Sequence, residues 1–204
     1  MPEKRYLGIS VLDAARQRIA WTFDVFPRVY VSFSGGKDST VMLHLVMDEA
    51  IRRGRKVGVL FVDLEGQYRL TIEHIQQCLE LYTDHIEPHW VALPLALDNA
   101  ASMIEPMWTT WEPGREDAWI RQPPPQAITD PKHYPFYYYY PGHAMEFEEF
   151  VPYFGDWYSH GKLTACFVGI RAAESLNRWR TIAGHGAKFE GRKYTNHVLS
   201  LIHI

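Results

Sequence analysis

The sequence predicts an α/β fold, a doubly wound parallel sheet with helices on both faces. Three observations carry that expectation. Short apolar runs rich in β-branched residues alternate with longer stretches whose apolar residues recur every three or four positions. The connections between them are short, the pattern of strands joined by covering helices. A glycine-rich hexapeptide, Ser34-Gly35-Gly36-Lys37-Asp38-Ser39, lies between the first strand and the helix after it.

Val11, Leu12, Ala15, Ile19, Phe23 and Phe26 give the first helix, Ile9 to Phe26, with Ser10 as its cap and Pro27 as its stop. Val29 to Phe33 is a buried strand. A helix from about Thr40 to Arg53 carries Val41, Met42, Leu45 and Val46 on its apolar side and ends at Gly54. Lys56 to Val62 is a second strand, with Asp63 to Tyr68 as the loop at its carboxyl end. Leu70 to Tyr82 is a helix and Pro88 to Leu93 a third strand.

From Pro94 to about Gly142 the alternation stops. Trp108, Trp111, Trp119, Pro123-Pro124-Pro125 and Phe136-Tyr137-Tyr138-Tyr139-Tyr140 are too aromatic for a solvated linker. This is an insertion, about 94–145, packed on the domain. Glu146 to His160 is helical, with Pro152 expected to kink or interrupt it. Leu163 to Val168 is a fourth strand, followed by Gly169-Ile170-Arg171 and a helix over Ala172 to Ala183. The domain is expected to span 1–183. No strand period is legible after Gly184, so 184–204 is expected to be an irregular tail, with the chain stopping short of its domain.

A chain of 204 residues, 47% apolar and 22% charged, builds one ordinary core and is not disordered. A net charge of −3 is no footprint for duplex nucleic acid, which is not expected as a partner. No apolar run reaches the roughly 18 residues of a membrane span. The polar start is not a signal peptide. Two cysteines, Cys78 and Cys166, are too few for a disulfide framework or a cysteine zinc site. A reducing, cytoplasmic location is expected. Assembly as a homo-oligomer is left open.

The hexapeptide carries the chemistry. Adjacent glycines allow a sharp turn and close approach of a ligand. Such a turn aims successive N–H groups into one concavity suited to phosphate oxygens. The helix that follows adds its own unpaired donors and the positive end of its dipole. Lys37 supplies a point charge, and Ser34, Ser39 and Thr40 supply hydroxyls. The blander alternative, a glycine turn capped by Asp38 or Ser39, loses ground because the motif sits between a buried strand and an amphipathic helix. It is not a Walker A loop, since Val31 stands at the position of its first glycine and Asp38 follows Lys37.

Ser34-Gly35-Gly36-Lys37-Asp38-Ser39 resembles the PP-loop of ATP pyrophosphatases, which cleave ATP between the α- and β-phosphates and commonly transfer AMP. Val31 to Ser39 with Met42-Leu43-His44-Leu45 is similar to the phosphoadenosine phosphosulfate (PAPS) reductase family. Gly169-Ile170-Arg171-Ala172-Ala173-Glu174-Ser175 resembles that family's second motif. Leu60-Phe61-Val62-Asp63, Trp90-Val91-Ala92-Leu93-Pro94-Leu95 and Ala127-Ile128-Thr129-Asp130-Pro131 are similar to its immunoglobulin-binding regulator A-like branch. The resemblance implies a Rossmann-like, adenine nucleotide alpha hydrolase-like fold with ATP and Mg²⁺ as ligands and an unknown acceptor.

It also implies site residues. Phe33, Ser34, Gly35, Gly36, Lys37, Asp38, Ser39, Asp63, Gly169 and Arg171 would bind the nucleotide. Lys37, Asp38 and Arg171 would assist catalysis, and Asp38 and Asp63 would face the metal. In a doubly wound sheet the first, second and fourth strands deliver these loops to one crevice. Asp63 is equally readable as a ribose acceptor, an outer ligand of Mg²⁺, or a loop carboxylate capping a turn. Arg171 suits phosphate by its planar fork, or pairs with Glu174.

Cys166 lies inside a strand and Cys78 mid-helix, so both are expected to pack rather than react. The aromatic insertion is expected to pack its own rings, the alternative being a stacking platform.

Overall fold

The computed structural model describes residues 8–99, 104–169 and 197–201. Helix α1 spans Val11–Val25, and the Ser10 hydroxyl accepts from the Asp13 amide at 3.1 Å, the expected cap. Strand β1 is Arg28–Ser32, helix α2 Lys37–Arg52, strand β2 Val57–Val62, helix α3 Arg69–Leu81 and strand β3 Ile86–Val91. Helix α2 begins three residues before the start its apolar period predicts. Gly36 takes the extended cap conformation (φ −75°, ψ 160°), so the polar half of the motif is already helical. Pro88 sits inside β3, where a missing donor is tolerated because β3 is the edge of the sheet.

The insertion builds two small antiparallel hairpins, β4 (Ala96–Asp98) with β5 (Met107–Thr109) and β6 (Tyr139–Tyr140) with β7 (His143–Ala144). Helix α4, Phe147–Ser159, continues through Pro152 without ending, so of the two expected effects, a kink or an interruption, the interruption does not occur. Strand β8 is Thr164–Val168 and β9 His197–Leu201. The expected helix over 172–183 lies outside the described residues. Strand β9 corrects the expectation of an irregular tail for those five residues: it pairs in parallel with β8, Ala165 opposite Val198. A five-residue strand flanked by glycine- and lysine-rich text offers too short a period to read.

The sheet is all parallel among β1, β2, β3, β8 and β9, in the order β3-β2-β1-β8-β9. Alternate side chains serve two cores, as a period of two dictates. Val29, Val31, Val57, Val59, Ala165 and Phe167 pack with α1, α2 and α3. Tyr30, Leu60 and Cys166 face the other way, onto α4 and the insertion. Helices therefore cover both faces, as predicted. Gly58 stands in β2 for a reason: a Cβ there would lie 2.6 Å from the Tyr158 ring, which packs against the strand.

The insertion packs its own rings, as expected. Tyr134 is buried among Phe136, Phe150, Phe154 and Trp157, with centroids 5.0–6.0 Å away. Edge-on geometry dominates this layer, the arrangement ring quadrupoles favour.

Candidate functional site

From β1 the chain winds outward through β2 to β3 on one side, and β8 and β9 lie on the other. The switch point is therefore the carboxyl edge between β1 and β8, where doubly wound sheets place ligands. The loop after β1 is Ser34–Ser39, and the residue after β8 is Gly169. These two segments meet. A Cβ on Gly169 would lie 2.9 Å from the backbone N and Cα of Ser39, so only glycine lets β8 approach the first turn of α2.

The loop's hydrogen bonds converge on one carbonyl. Gly36 O accepts from the Thr40 amide, the Thr40 hydroxyl and the Ser39 hydroxyl, each at 2.9 Å. With the Ser39 proton committed there, the Ser34 hydroxyl is the donor in its 3.0 Å contact with Ser39. Gly35 takes φ +73°, and a Cβ on it would press on Ile75 at 2.8 Å. No side chain caps the start of α2, which leaves its first amides directed outward. Lys37 is exposed beside them and has no ion pair among the described residues. Ser39 is buried and Asp38 half-buried. Phe33 is in the core, and its amide donates to Leu60 O at 2.8 Å, so it roots the loop rather than facing a ligand.

The loop after β2 is organised differently. Asp63 is fully buried, and both its oxygens are engaged. Oδ2 accepts from the Trp90 indole at 2.8 Å. Oδ1 accepts from the Glu65 amide at 3.0 Å and pairs with the Arg121 guanidinium. Glu65, 4% exposed, accepts from the Trp111 amide at 2.7 Å and the Ile120 amide at 2.9 Å. Trp111 returns a bond from its indole to Asp63 O at 2.7 Å, and Arg121 lies over its ring. Glu65 holds φ +63° and Trp111 φ +49°, conformations that persist only when their surroundings fix them.

Of the alternatives the sequence leaves open for Asp63, the geometry matches the loop carboxylate: its oxygens take a guanidinium, an indole and the Glu65 amide of its own turn, and it latches the insertion to the sheet. Among the described residues no three His, Cys, Asp or Glu groups are placed to hold a metal ion. Arg171 lies outside the described residues. Sequence reasoning missed Arg121, whose partner is 58 residues away, and the pair Thr40–His74, whose side chains meet at 2.9 Å. Glu65 was legible as a strand-end acid but not as an acceptor for the insertion.

Both cysteines are buried. Burial pushes the Cys166 thiol up to about 12 and raises that of Cys78, so neither is poised as a thiolate.

An uncapped helix start behind a glycine turn, closed by Gly169 at the switch point of a parallel sheet, defines a nucleotide-binding α/β domain. The chain belongs to the phosphoadenosine phosphosulfate reductase domain family, which residues 28–183 match. It is 51% identical over 178 residues to YbdN of Escherichia coli (strain K12), a protein itself named as uncharacterized. That similarity covers 87% of this chain and 42% of YbdN, so the chain spans about two fifths of that relative's length. Domains of this family bind nucleotide substrates and are usually parts of enzymes. Among the described residues no helix is long and apolar enough to cross a membrane.

Proposed function

We propose that the chain binds ATP, or a related adenine sulfonucleotide, through Ser34–Ser39 and cleaves it between the α- and β-phosphates, transferring AMP to an acceptor. The observation that carries this reading is the Gly36 carbonyl. Three donors hold it inward, so the Gly36–Lys37 peptide turns its N–H toward the open side of the loop, at a helix start with no cap. A pyrophosphate group is the anion such a start accepts. The acceptor nucleophile would form a bond to the α-phosphorus as the bond to the α,β-bridging oxygen breaks. The electron pair leaves with pyrophosphate.

In this reading the amides of Lys37, Asp38 and Ser39, with the Lys37 ammonium, stabilise the charge that develops on the leaving group. Gly169 keeps the floor of the crevice clear of a side chain, and Arg171 adds its fork to the same phosphates. Mg²⁺ would arrive on the nucleotide, since it keeps most of its waters and needs few protein ligands. The loop's own carboxylate is Asp38, on the first turn of α2. Within the family we place the chain in the regulator A-like branch, on Leu60-Phe61-Val62-Asp63 and Trp90 to Leu95, and in the cytoplasm.

Incubation of the protein with ATP and Mg²⁺, followed by product analysis, tests this. AMP plus pyrophosphate supports cleavage. Binding without turnover supports a nucleotide-sensing role. Release of sulfite from PAPS would support a reductase. Binding of neither nucleotide sinks the proposal.

A further inference from the structure

Thr40 does more than sit in the first turn of α2. Its hydroxyl donates to Gly36 O at 2.9 Å and stands 2.9 Å from Nε2 of His74 on α3. A threonine hydroxyl has one proton. With that proton on Gly36, His74 must be the donor, through Nε2. Nδ1 is then the bare nitrogen; the Cys78 sulfur, one helical turn further along α3, lies beside the ring, 3.7 Å from Nε2 and 4.0 Å from Nδ1. Burial keeps that thiol protonated, so the sulfur presents a hydrogen, not a charge. A second cross-link ties the same helices one turn along α2, His44 Nδ1 to the Tyr82 hydroxyl at 2.6 Å.

The Gly36–Lys37 peptide is planar and trans, so its C=O and its N–H point in opposite directions. Whatever holds the carbonyl inward therefore aims the Lys37 N–H outward. We propose that His74 is a positioning residue of the phosphate-binding loop: by donating to Thr40 it keeps the Thr40 hydroxyl turned onto Gly36 O, and so keeps the Lys37 amide aimed at the bound phosphate. His74 touches no ligand in this scheme. The inference rests on the nucleotide reading above and names the device that orients its loop.

The test uses His74→Leu, His74→Gln, Thr40→Val and their combination, with calorimetry against ATP and against inorganic pyrophosphate. His74→Leu should weaken both about tenfold, the size expected for one misdirected hydrogen bond to a charged group. His74→Gln, whose side-chain amide reaches about as far, should recover most of that loss. Thr40→Val should be as weak as the double variant, because the two residues act in series. Long-range proton–nitrogen correlation on the unliganded protein should find His74 protonated at Nε2 and bare at Nδ1. Wild-type affinity in a folded His74→Leu protein, a His74→Gln protein no better than His74→Leu, or a proton on Nδ1 would each overturn the inference. Absence of binding by the wild type removes the nucleotide reading instead, and the ring tautomer still decides whether the His74–Thr40–Gly36 relay exists.

Discussion

The loops leaving β1 and β2 start from neighbouring strands, with Val31 opposite Val59 in register, and emerge on one edge of one sheet. Both contain glycine and acidic side chains. Their fates differ. The loop after β1 turns its carbonyl in and leaves the amides of an uncapped helix outward. The loop after β2 has its acids surrounded: Asp63 by Trp90, Glu65 and Arg121, and Glu65 by Trp111 and Ile120. A strand-end carboxylate is available to a ligand only if the rest of the chain brings no donors to it. Here the aromatic insertion brings three, from Arg121, Trp111 and Ile120, and the second loop becomes an anchor while the first stays open.

The sharpest break of this contrast is Asp63→Ala. Removing one partner of a buried, hydrogen-bonded ion pair costs about 3–5 kcal/mol, because Arg121 and the Trp90 indole are left without their acceptor. Urea unfolding should show that loss, with nucleotide affinity of the remaining folded protein within a few-fold of wild type. A stable variant that cannot bind nucleotide would return Asp63 to the ligand site.

Acid should loosen the ring layer that packs the insertion and α4 on β3, leaving the two loops aside. His89 on β3 lies against Phe154, Trp157 and Tyr158, with Tyr134 Oη 3.3 Å from Nδ1. Burial, with a smaller push from His133, lowers its pKa to about 4. The folded protein therefore binds fewer protons there than the unfolded chain. The stabilisation is whole above the ordinary histidine value near 6.5 and is lost as pH falls toward 4, about 3 kcal/mol over that window. Among the groups facing His89, Arg28 works in the same direction and Glu87 against it. Chemical denaturation from pH 7 to pH 4 should show the slope, and His89→Phe should flatten it. An unchanged slope in that variant would place the acid sensitivity elsewhere.

Gly36→Val tests the cradle itself. A Cβ at Gly36 meets only the Ser34 hydroxyl, at 3.4 Å, and the backbone there is extended, so the fold accepts a side chain. The branched group would stand where phosphate oxygens are expected. Affinity for ATP should fall at least about 100-fold, near 2.7 kcal/mol, with the circular dichroism unchanged. Gly35→Val is the contrasting control: φ +73° and a 2.8 Å approach to Ile75 make it a folding defect first. Equal affinity in folded Gly36→Val would remove the site from this loop.

The difference between the two loops also marks what the sequence disclosed. Strand and helix order, the Ser10 cap and the loop after β1 depend on local signals: periodicity, a hydroxyl before an apolar run, glycines between a strand and a helix. Each was legible. The start of α2 was misjudged because Lys37, Asp38 and Ser39 are polar, and a hydrophobic period cannot see a polar helical turn. The pairing of Asp63 was not legible because its partner Arg121 is distant in the chain and embedded in a stretch with no period at all. The insertion's packing was legible as composition, since so many rings must be buried somewhere, but not as geometry. Strand β9 was missed because pairing with β8, rather than any pattern of its own, makes it a strand.

The smallest expected effect belongs to the thiols. Cys166 sits in β8 against the α4 side of the sheet, and Cys78 on the inner face of α3, with no disulfide between them. Their pKa values are raised by burial, so at neutral pH both stay protonated and neither is a nucleophile. Replacing Cys166 by alanine removes one buried sulfur, costing about 1 kcal/mol or somewhat more through lost packing. Cys78→Ala loses only a weak contact with His74 and part of its burial. The double variant should therefore melt a few degrees lower, retain nucleotide affinity, and turn over any ATP at an unchanged rate. Measuring turnover well below the melting point separates the two effects. Abolished activity in a folded double variant would make one thiol part of the chemistry, and the contrast between an open first loop and a locked second one would then need a third participant.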